Sequence, residues 1–397
     1  MRIALVNNFF LPRASGSAHL TEGIARRLAT RGADVLVVTA AHDGAEALEA
    51  RDGYRIVRVP SRSLPKSNLT MRFDVNFTLG PSNVRRVSAA LDEFDPEIIH
   101  QHGQFFDLTF MTSWYARRRQ IPTVLSVHTR LEHTSPFHNV VLAIGDMTLV
   151  RAMVVLSRPH VVVMDRQMHR YVVRRYHVPE DRLVPIPVGV DPAKVETNGG
   201  AVRRALGLEN RPIVLSLGHV IPVRDRLALV EAMPMLVEKR PDVAVVVVGI
   251  VYDDRFIRRA EELEVADHLV VTGGITKDEV PGYLAAADVE SHDLQGFGLG
   301  TASLETMAAG VPVVASVRDD NFLGFRLRSG RDLVLVPEGD PAALATAIVE
   351  LLDDPELARR VARGGQELIE ERFTLDAVTE LHVELYERLI ADRGRRG

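Results

Sequence analysis

The chain has no cysteine and only one tryptophan in 397 residues. The missing cysteines exclude disulfides, thiolate zinc sites and a cysteine nucleophile together, and they fit a reducing, cytoplasmic compartment. No run reaches the ~18 consecutive apolar residues expected of a membrane span. The most apolar region, residues 140–163, is broken by Asp146, Arg151, Arg158 and His160 and reads as core elements. Met1 to Val6 is a short apolar run that ends at once in Asn7 and Asn8, with no secretory-type apolar stretch behind it. G-x-S-x-G and H-E-x-x-H are both missing, so a serine hydrolase or a zinc protease has no support. No basic run is interleaved with aromatics, which argues against nucleic acid as a partner.

What is present is ordinary for a globular protein, with 46% hydrophobic and 25% charged residues. The length suits two or three domains. The net charge of −5 conceals an asymmetry. Residues 1–190 carry 24 Lys+Arg against 17 Asp+Glu, and the remainder carries 24 against 36. A basic first half is suited to an anionic ligand or to peripheral contact with the inner face of a membrane, although surface charge also drifts without function. Trp114-Tyr-Ala-Arg-Arg-Arg119 reads as a solvated helix end, with a membrane-surface patch as its functional alternative.

Short apolar runs alternate with helical patterns along the chain. The run Ile3 to Val6 leads into a Ser/Gly loop (Ala14 to Ala18) and a helix with Leu20, Ile24, Ala25 and Leu28 on one face. Gly32 ends that helix and Val35 to Val38 follows, which completes a βαβ unit and predicts a parallel sheet. A polar stretch from Gly189 to Gly200 reads as a linker, and a second series starts at Ile213 to Leu217. Two Rossmann-like α/β domains facing across a cleft are expected, with boundaries at 1–190 and 191–375. The helical end from Pro341 to Leu389 carries two apolar stripes, the second made of Val378, Leu381, Val383, Leu385 and Leu389.

Open parallel sheets bind ligands beyond the carboxyl ends of their strands. That rule selects Asn7 to Gly16, His100 to Gly103 and His128, then Gly218 to Arg226, Gly249 to Tyr252, Gly273-Gly274 and the loop from Ser291 to Thr301. The richest loop is Gln295-Gly-Phe-Gly-Leu-Gly300, which opens a helix containing Glu305. Glycines let the backbone approach a ligand, and the free N–H groups and positive helix end favour phosphate. His100 and His102 could ligate a metal only with further ligands that the sequence does not place. His128, His133 and His138 are five apart and share no helix face. Phe9 and Phe10 are equally an aromatic platform or core.

Gln295-Gly-Phe-Gly-Leu, then Leu304-Glu-Thr-Met-Ala-Ala-Gly310-Val-Pro-Val-Val314, resembles the retaining GT-B glycosyltransferases of family 4 (glycosyl transferases group 1). Asp95 to His102, Pro185 to Asp191, Gly273-Gly274, Ala285 to Asp288 and Pro337 to Pro341 match the same family in order. Around Phe77 to Val87 and Ser126 to Thr129 the texture is similar to phosphatidylinositol mannosyltransferase-like enzymes. The resemblance implies sugar transfer from a nucleotide-diphosphate donor without a cofactor or metal, by same-face attack with the leaving phosphate aiding deprotonation. It implies Gly16 and Gly218 near the donor phosphates, His128 beside the transferred sugar and Glu305 on the nucleotide ribose. It places the Phe297-Gly298-Leu299 backbone on the sugar and phosphate. A C-terminal helix (376–397) returning to the first domain belongs to the same expectation.

Three departures stand out. Gln295 replaces a glutamate, and its gap to Glu305 is two residues longer than usual. Gln can hydrogen-bond a sugar hydroxyl but brings no charge. The arginine-and-lysine clamp on the diphosphate falls at His219 and Arg224, with Arg226 as a candidate compensator. Arg318-Asp-Asp-Asn321 replaces a Gly-Gly pair. Against the transferase stand a non-catalytic nucleotide-sugar binder, a nucleotide-sugar 2-epimerase and a nicotinamide enzyme. The epimerase lacks evident base carboxylates, and the nicotinamide enzyme has a single Gly16 where G-x-G-x-x-G is expected. The sequence does not identify the acceptor: a glycan and a lipid-linked or otherwise anionic molecule are the alternatives.

Overall fold

The computed structural model describes residues 1–13, 16–42, 44–63, 76–132, 135–191, 199–222, 224, 226–292 and 298–395. The chain forms two compact units, one of Met1–Gly189 with Leu375–Gly397 and the other of Val190–Thr374. Gln295 and Phe297 lie outside the described residues, as do His133 and most of the linker.

The first unit begins with β1 (Arg2–Asn7), α1 (Gly16–Thr30), β2 (Asp34–Ala40), β3 (Leu48–Arg51) and β4 (Tyr54–Val59). A short pair, β5 (Arg62–Ser63) and β6 (Asn76–Phe77), precedes α2 (Pro81–Phe94), β7 (Ile98–His102), α3 (Asp107–Arg119) and β8 (Thr123–Val127). After these come α4 (Pro136–Gly145), α5 (Arg151–Ser157), β9 (His160–Val163), α6 (Arg166–Tyr176) and β10 (Leu183–Pro185). The sheet order is β10-β9-β8-β7-β1-β2-β4-β3, with β3 alone antiparallel to its neighbour. Strands covered on both faces carry continuous apolar runs, which is why Ile3, Ala4, Leu5 and Val6 are all fully buried. The chain runs outward from β1 to β2, then returns to place β7 on its other side, so the sheet reverses direction between β1 and β7.

The second unit contains α7 (Gly199–Leu206), β11 (Ile213–Leu217), α8 (Leu227–Lys239), β12 (Ala244–Val248), α9 (Arg255–Glu262) and β13 (Leu269–Gly273). It continues with α10 (Val280–Ala286), β14 (Val289–His292), α11 (Thr301–Ala308), β15 (Val313–Ala315), β16 (Val334–Leu335), α12 (Pro341–Asp353) and α13 (Pro355–Arg372). Its parallel sheet has the order β13-β12-β11-β14-β15-β16 and reverses between β11 and β14. Asp340 and Asp354 cap α12 and α13, each followed by proline at the first helical position.

Helix α14 (Leu375–Gly394) belongs to the first unit, where it packs on α1. Its buried face is Leu375, Val378, Thr379, His382, Leu385, Tyr386 and Leu389, and Arg27 pairs with Asp376 at 3.2 Å. The stripe expected from the sequence therefore shifts: Leu381 is exposed, while two polar side chains, His382 and Tyr386, enter the core.

A second expectation fails at α4 and α5. With the π-helical turn Asp146–Val150 they make one helix, Pro136–Ser157, of which only 22% of the most apolar stretch is buried. Phe137, Val140, Ile144, Leu149, Val155 and Leu156 are exposed. The helix is long and apolar enough by length and composition to cross a membrane, but it joins neighbouring strands of one sheet. Buried Asp146 anchors it, accepting hydrogen bonds from Tyr171 and Tyr176 hydroxyls at 2.5 Å each. One carboxylate, satisfied by two hydroxyls of α6, thus holds a helix whose apolar side chains face outward.

Candidate active site

In the first unit the switch point lies at the ends of β1 and β7. Asn7 donates to Thr21 Oγ1 at 3.0 Å, and Asn8 donates to Asp107 Oδ1 at 2.8 Å, so both asparagines brace the turn after β1. Phe10 is core, whereas Phe9 is half-buried, edge-on to Phe106 and beneath the Arg13 guanidinium. Gly16 opens α1, and a Cβ built on it meets nothing within 4 Å.

Four imidazoles form a ladder through this unit. His382 stacks on His100 with centroids 5.2 Å apart, His100 lies 4.2 Å from His102, and His102 stacks on His128 at 5.2 Å. His100 pairs through Nδ1 with the Tyr386 hydroxyl at 2.5 Å and through Nε2 with Ser126 Oγ at 2.8 Å. His382 uses Nδ1 on the Val378 carbonyl at 2.7 Å, so that nitrogen carries its proton. His102 Nδ1 meets His128 Nε2 at 3.0 Å. Burial drives all four pKa values down, to about 4 for His128 and His382 and well below the usual range for His100 and His102. The ladder is neutral at physiological pH. Among the described residues no three His, Asp or Glu side chains converge to hold a metal ion.

In the second unit the ends of β11 and β14 flank the switch point. Gly218 has φ +121° and Gly249 has φ +145°, and a Cβ on Gly249 would lie 2.3 Å from the Gly218 carbonyl oxygen. Only glycines permit these two strand ends to approach so closely. His219 is exposed, and its Nδ1 accepts from the Ile250 N–H at 3.1 Å. Burial, then the Arg224 and Arg226 cations, lower its pKa. In its neutral form His219 therefore carries its hydrogen on Nε2. The reciprocal backbone bonds of Ile221 and Arg224 form a tight turn that leaves the Arg224 side chain exposed. Arg226, the candidate compensator for His219, is turned inward. It is buried, and its guanidinium donates to the carbonyls of Gly218 at 2.9 Å and Arg224 at 3.1 Å.

Gly298 precedes the buried Leu299, and Gly300 is the N-cap of α11 without a side chain to close it. Gly300 thus offers no side-chain cap to the first-turn N–H groups, which carry the positive end of the helix dipole. Glu305 is half-buried, with no hydrogen-bond partner among the described residues, and burial raises its pKa against the pull of Lys277. Beneath the glycine turn lies a network that the sequence did not signal. Ser303 Oγ is 2.9 Å from Glu290 Oε1 and 2.8 Å from His292 Nδ1, and His292 Nε2 is 3.2 Å from the Gly298 carbonyl. Glu290 and His292 belong to β14, whose polar sequence Val-Glu-Ser-His hides it as a strand.

Residues 14–194 match the Glycosyltransferase Family 4 domain and residues 201–368 match Glycosyl transferases group 1. The GDP-mannose-dependent alpha-(1-6)-phosphatidylinositol monomannoside mannosyltransferase of Mycolicibacterium smegmatis is 29% identical, over 91% of this chain and 92% of its own. The D-inositol 3-phosphate glycosyltransferase of Kineococcus radiotolerans is 28% identical, over 93% of this chain and 89% of its own. Among solved structures, a sucrose-phosphate synthase from Thermosynechococcus elongatus superposes with a TM-score of 0.76 at 22% identity, covering 98% of this chain and 99% of its own. HepE of Anabaena, solved with UDP, gives 0.73 at 18% identity, covering 98% of this chain and 100% of its own. With a domain match on each unit and whole-length similarity of sequence and fold, the chain belongs to the family 4, group 1 glycosyltransferases and has their two-domain GT-B fold.

Proposed function

We propose that the protein transfers a hexosyl group, with retention of configuration, from a nucleoside-diphosphate sugar to an anionic, lipid-linked acceptor. The observation that carries the donor half is the conjunction of an uncapped glycine turn at α11, exposed Arg224 and half-buried Glu305 in the second unit. The α11 N–H groups and Arg224 suit the diphosphate, and the developing charge on the leaving phosphate is what they would stabilise. Glu305 suits the ribose hydroxyls, and Gln295 a hydroxyl of the sugar. His128, held neutral, offers hydrogen bonding to the transferred sugar without a charge. The acceptor attacks the anomeric carbon on the face the phosphate leaves, and a phosphate oxygen takes the acceptor proton. No metal is needed in this scheme.

The relatives named above for phosphatidylinositol monomannoside and inositol 3-phosphate support an acceptor with a phosphate. The lipid part rests on the exposed apolar helix Pro136–Ser157, beside which Trp114 stands exposed with Arg118 over its ring at 4.9 Å. Such a surface suits peripheral contact with an anionic cytoplasmic leaflet.

The test is calorimetric binding and slow hydrolysis across UDP-, GDP-, ADP- and TDP-sugars, with and without EDTA. One donor bound and hydrolysed without metal, with the anomeric configuration kept in the product, is the expected result. Binding without turnover in the presence of phosphoinositide acceptors would favour a non-catalytic nucleotide-sugar binder. No binding to any donor would reject the proposal.

A further inference from the structure

We infer that His292 and Ser303 are positioning residues for the glycine turn at α11, and that Glu290 acts as a neutral carboxylic acid that sets the direction of their hydrogen bonds.

His292 Nε2 faces the Gly298 carbonyl oxygen at 3.2 Å, and a carbonyl only accepts, so Nε2 carries a hydrogen. A neutral imidazole then has a bare lone pair on Nδ1. Its partner, Ser303 Oγ at 2.8 Å, must donate to it. Ser303 has one hydrogen, and that hydrogen is now used. Its oxygen still lies 2.9 Å from Glu290 Oε1, and two oxygens at that distance need a proton between them. Glu290 therefore supplies it. The order is Glu290 Oε1–H to Ser303 Oγ–H to His292 Nδ1, with Nε2–H to the Gly298 carbonyl.

An ion pair of Glu290 carboxylate and His292 imidazolium holds the same number of protons. It would place both charges in a site where Glu290 is 1% and His292 4% exposed, with Glu290 Oε2 unpartnered among the described residues. Burial opposes both charges, raising the Glu290 pKa to about 8 and lowering that of His292 to about 4. The groups facing this network are Ser303 from α11 and the Arg226 cation from the loop before α8, with Arg224 acting on His292 from further away. The flanking strands present Leu215 of β11 and Val313 of β15 as the register partners of Glu290. The ring also lies directly under the turn, since a Cβ on Gly300 would be 3.8 Å from His292 Cε1.

Loss of the Glu290 proton reverses the chain. Ser303 turns its hydrogen to the carboxylate, and His292 moves its own from Nε2 to Nδ1. The bare Nε2 then faces the Gly298 oxygen and the turn loses its tether. One carboxyl proton, remote from any ligand, thereby controls the backbone that the proposed donor site depends on. The functional consequence rests on the donor-binding reading above, while the proton order itself does not.

The experiment has two arms. Nitrogen-15 NMR of wild type is expected to show His292 as the Nε2–H tautomer at pH 7, changing with a midpoint near pH 8. In Glu290→Gln the amide N–H donates to Ser303 in place of the acid, so the Nε2–H tautomer should persist to pH 10. Calorimetry with the nucleotide sugar found to bind is expected to show wild-type affinity falling about tenfold between pH 7 and 9.5, the scale of one lost hydrogen bond. That alkaline fall should be absent in Glu290→Gln. Ser303→Ala should bind weakly at both pH values. A His292 that is Nδ1–H at pH 7, or an alkaline change that survives in Glu290→Gln, would overturn the inference. Failure of every nucleotide sugar to bind would reject the donor reading alone, because the tautomer measurement needs no ligand.

Discussion

His102 Nδ1 lies 3.0 Å from His128 Nε2, with the two rings 8° from parallel. The other nitrogen of His102, Nε2, is buried with no partner among the described residues. An orphaned buried N–H is more costly than an orphaned lone pair, so the His102 proton resides on Nδ1 and is donated to His128. His128, neutral at physiological pH, then keeps its own proton on Nδ1 and presents an N–H donor.

His102→Phe should keep the ring stack and lose this control. The expected outcome is a fall of about tenfold in donor hydrolysis, with donor affinity changed less than about twofold, as one lost orienting hydrogen bond implies. His102→Asn, whose amide can donate to Nε2, should recover most of the rate. Equal losses in both variants would leave His102 a packing residue only.

The ladder also predicts an acid limit to stability. His100, His102, His128 and His382 all have folded pKa values below the unfolded value, so unfolding takes up protons as pH falls through about 6.5. Their neutral burial is free of this penalty above that pH, and stability declines from there down to about pH 4. Thermal unfolding of the first unit should shift steeply between pH 7.5 and 5. His382→Gln should flatten that dependence by removing one of the protons taken up. An unchanged slope would mean that His382 titrates alike in both states.

Much of this architecture was readable from the residues. Parallel strands buried on both faces are continuous apolar runs, so β1, β2, β11 and β12 stood out, and topology then pointed to their carboxyl ends. Strand β14 did not stand out, because Glu290 and His292 break its apolar pattern to build a polar network that only tertiary contact satisfies. His382 and Tyr386 were hidden for the same reason, being polar residues on the buried stripe of α14. Composition could not tell that Pro136–Ser157 faces outward, since an apolar run looks alike in a core and on a surface. The opposite fates of Arg224 and Arg226 depend on a turn whose path no local pattern specifies.

Those two arginines separate binding from stability. Arg224→Ala removes an exposed cation and should weaken donor binding about tenfold or more, the scale of a charge-assisted phosphate contact, with little change in Tm. Arg226→Ala leaves the Gly218 and Arg224 carbonyls without their donor and empties a buried volume. It should destabilise the second unit by roughly 2–4 kcal/mol. Calorimetric affinity beside thermal unfolding distinguishes the pair. A stable Arg226→Ala with impaired binding would instead make Arg226 a direct ligand contact.

The helix Pro136–Ser157 carries the membrane prediction. Phe137, Val140 and Ile144 are exposed at 72%, 58% and 59%, and replacing all three with serine removes outward apolar area without touching the Asp146 anchor. Each side chain buried in an interface is worth about 1–2 kcal/mol, so the triple variant should bind anionic vesicles more weakly by at least about a hundredfold. Its nucleotide-sugar affinity should be unchanged, because none of the three lies in the second unit. Flotation with phosphatidylinositol-containing liposomes at low and high salt measures both the apolar and the electrostatic share. Undiminished flotation of the triple variant would move the contact to another surface, and absence of flotation in wild type would remove the membrane from the reading altogether.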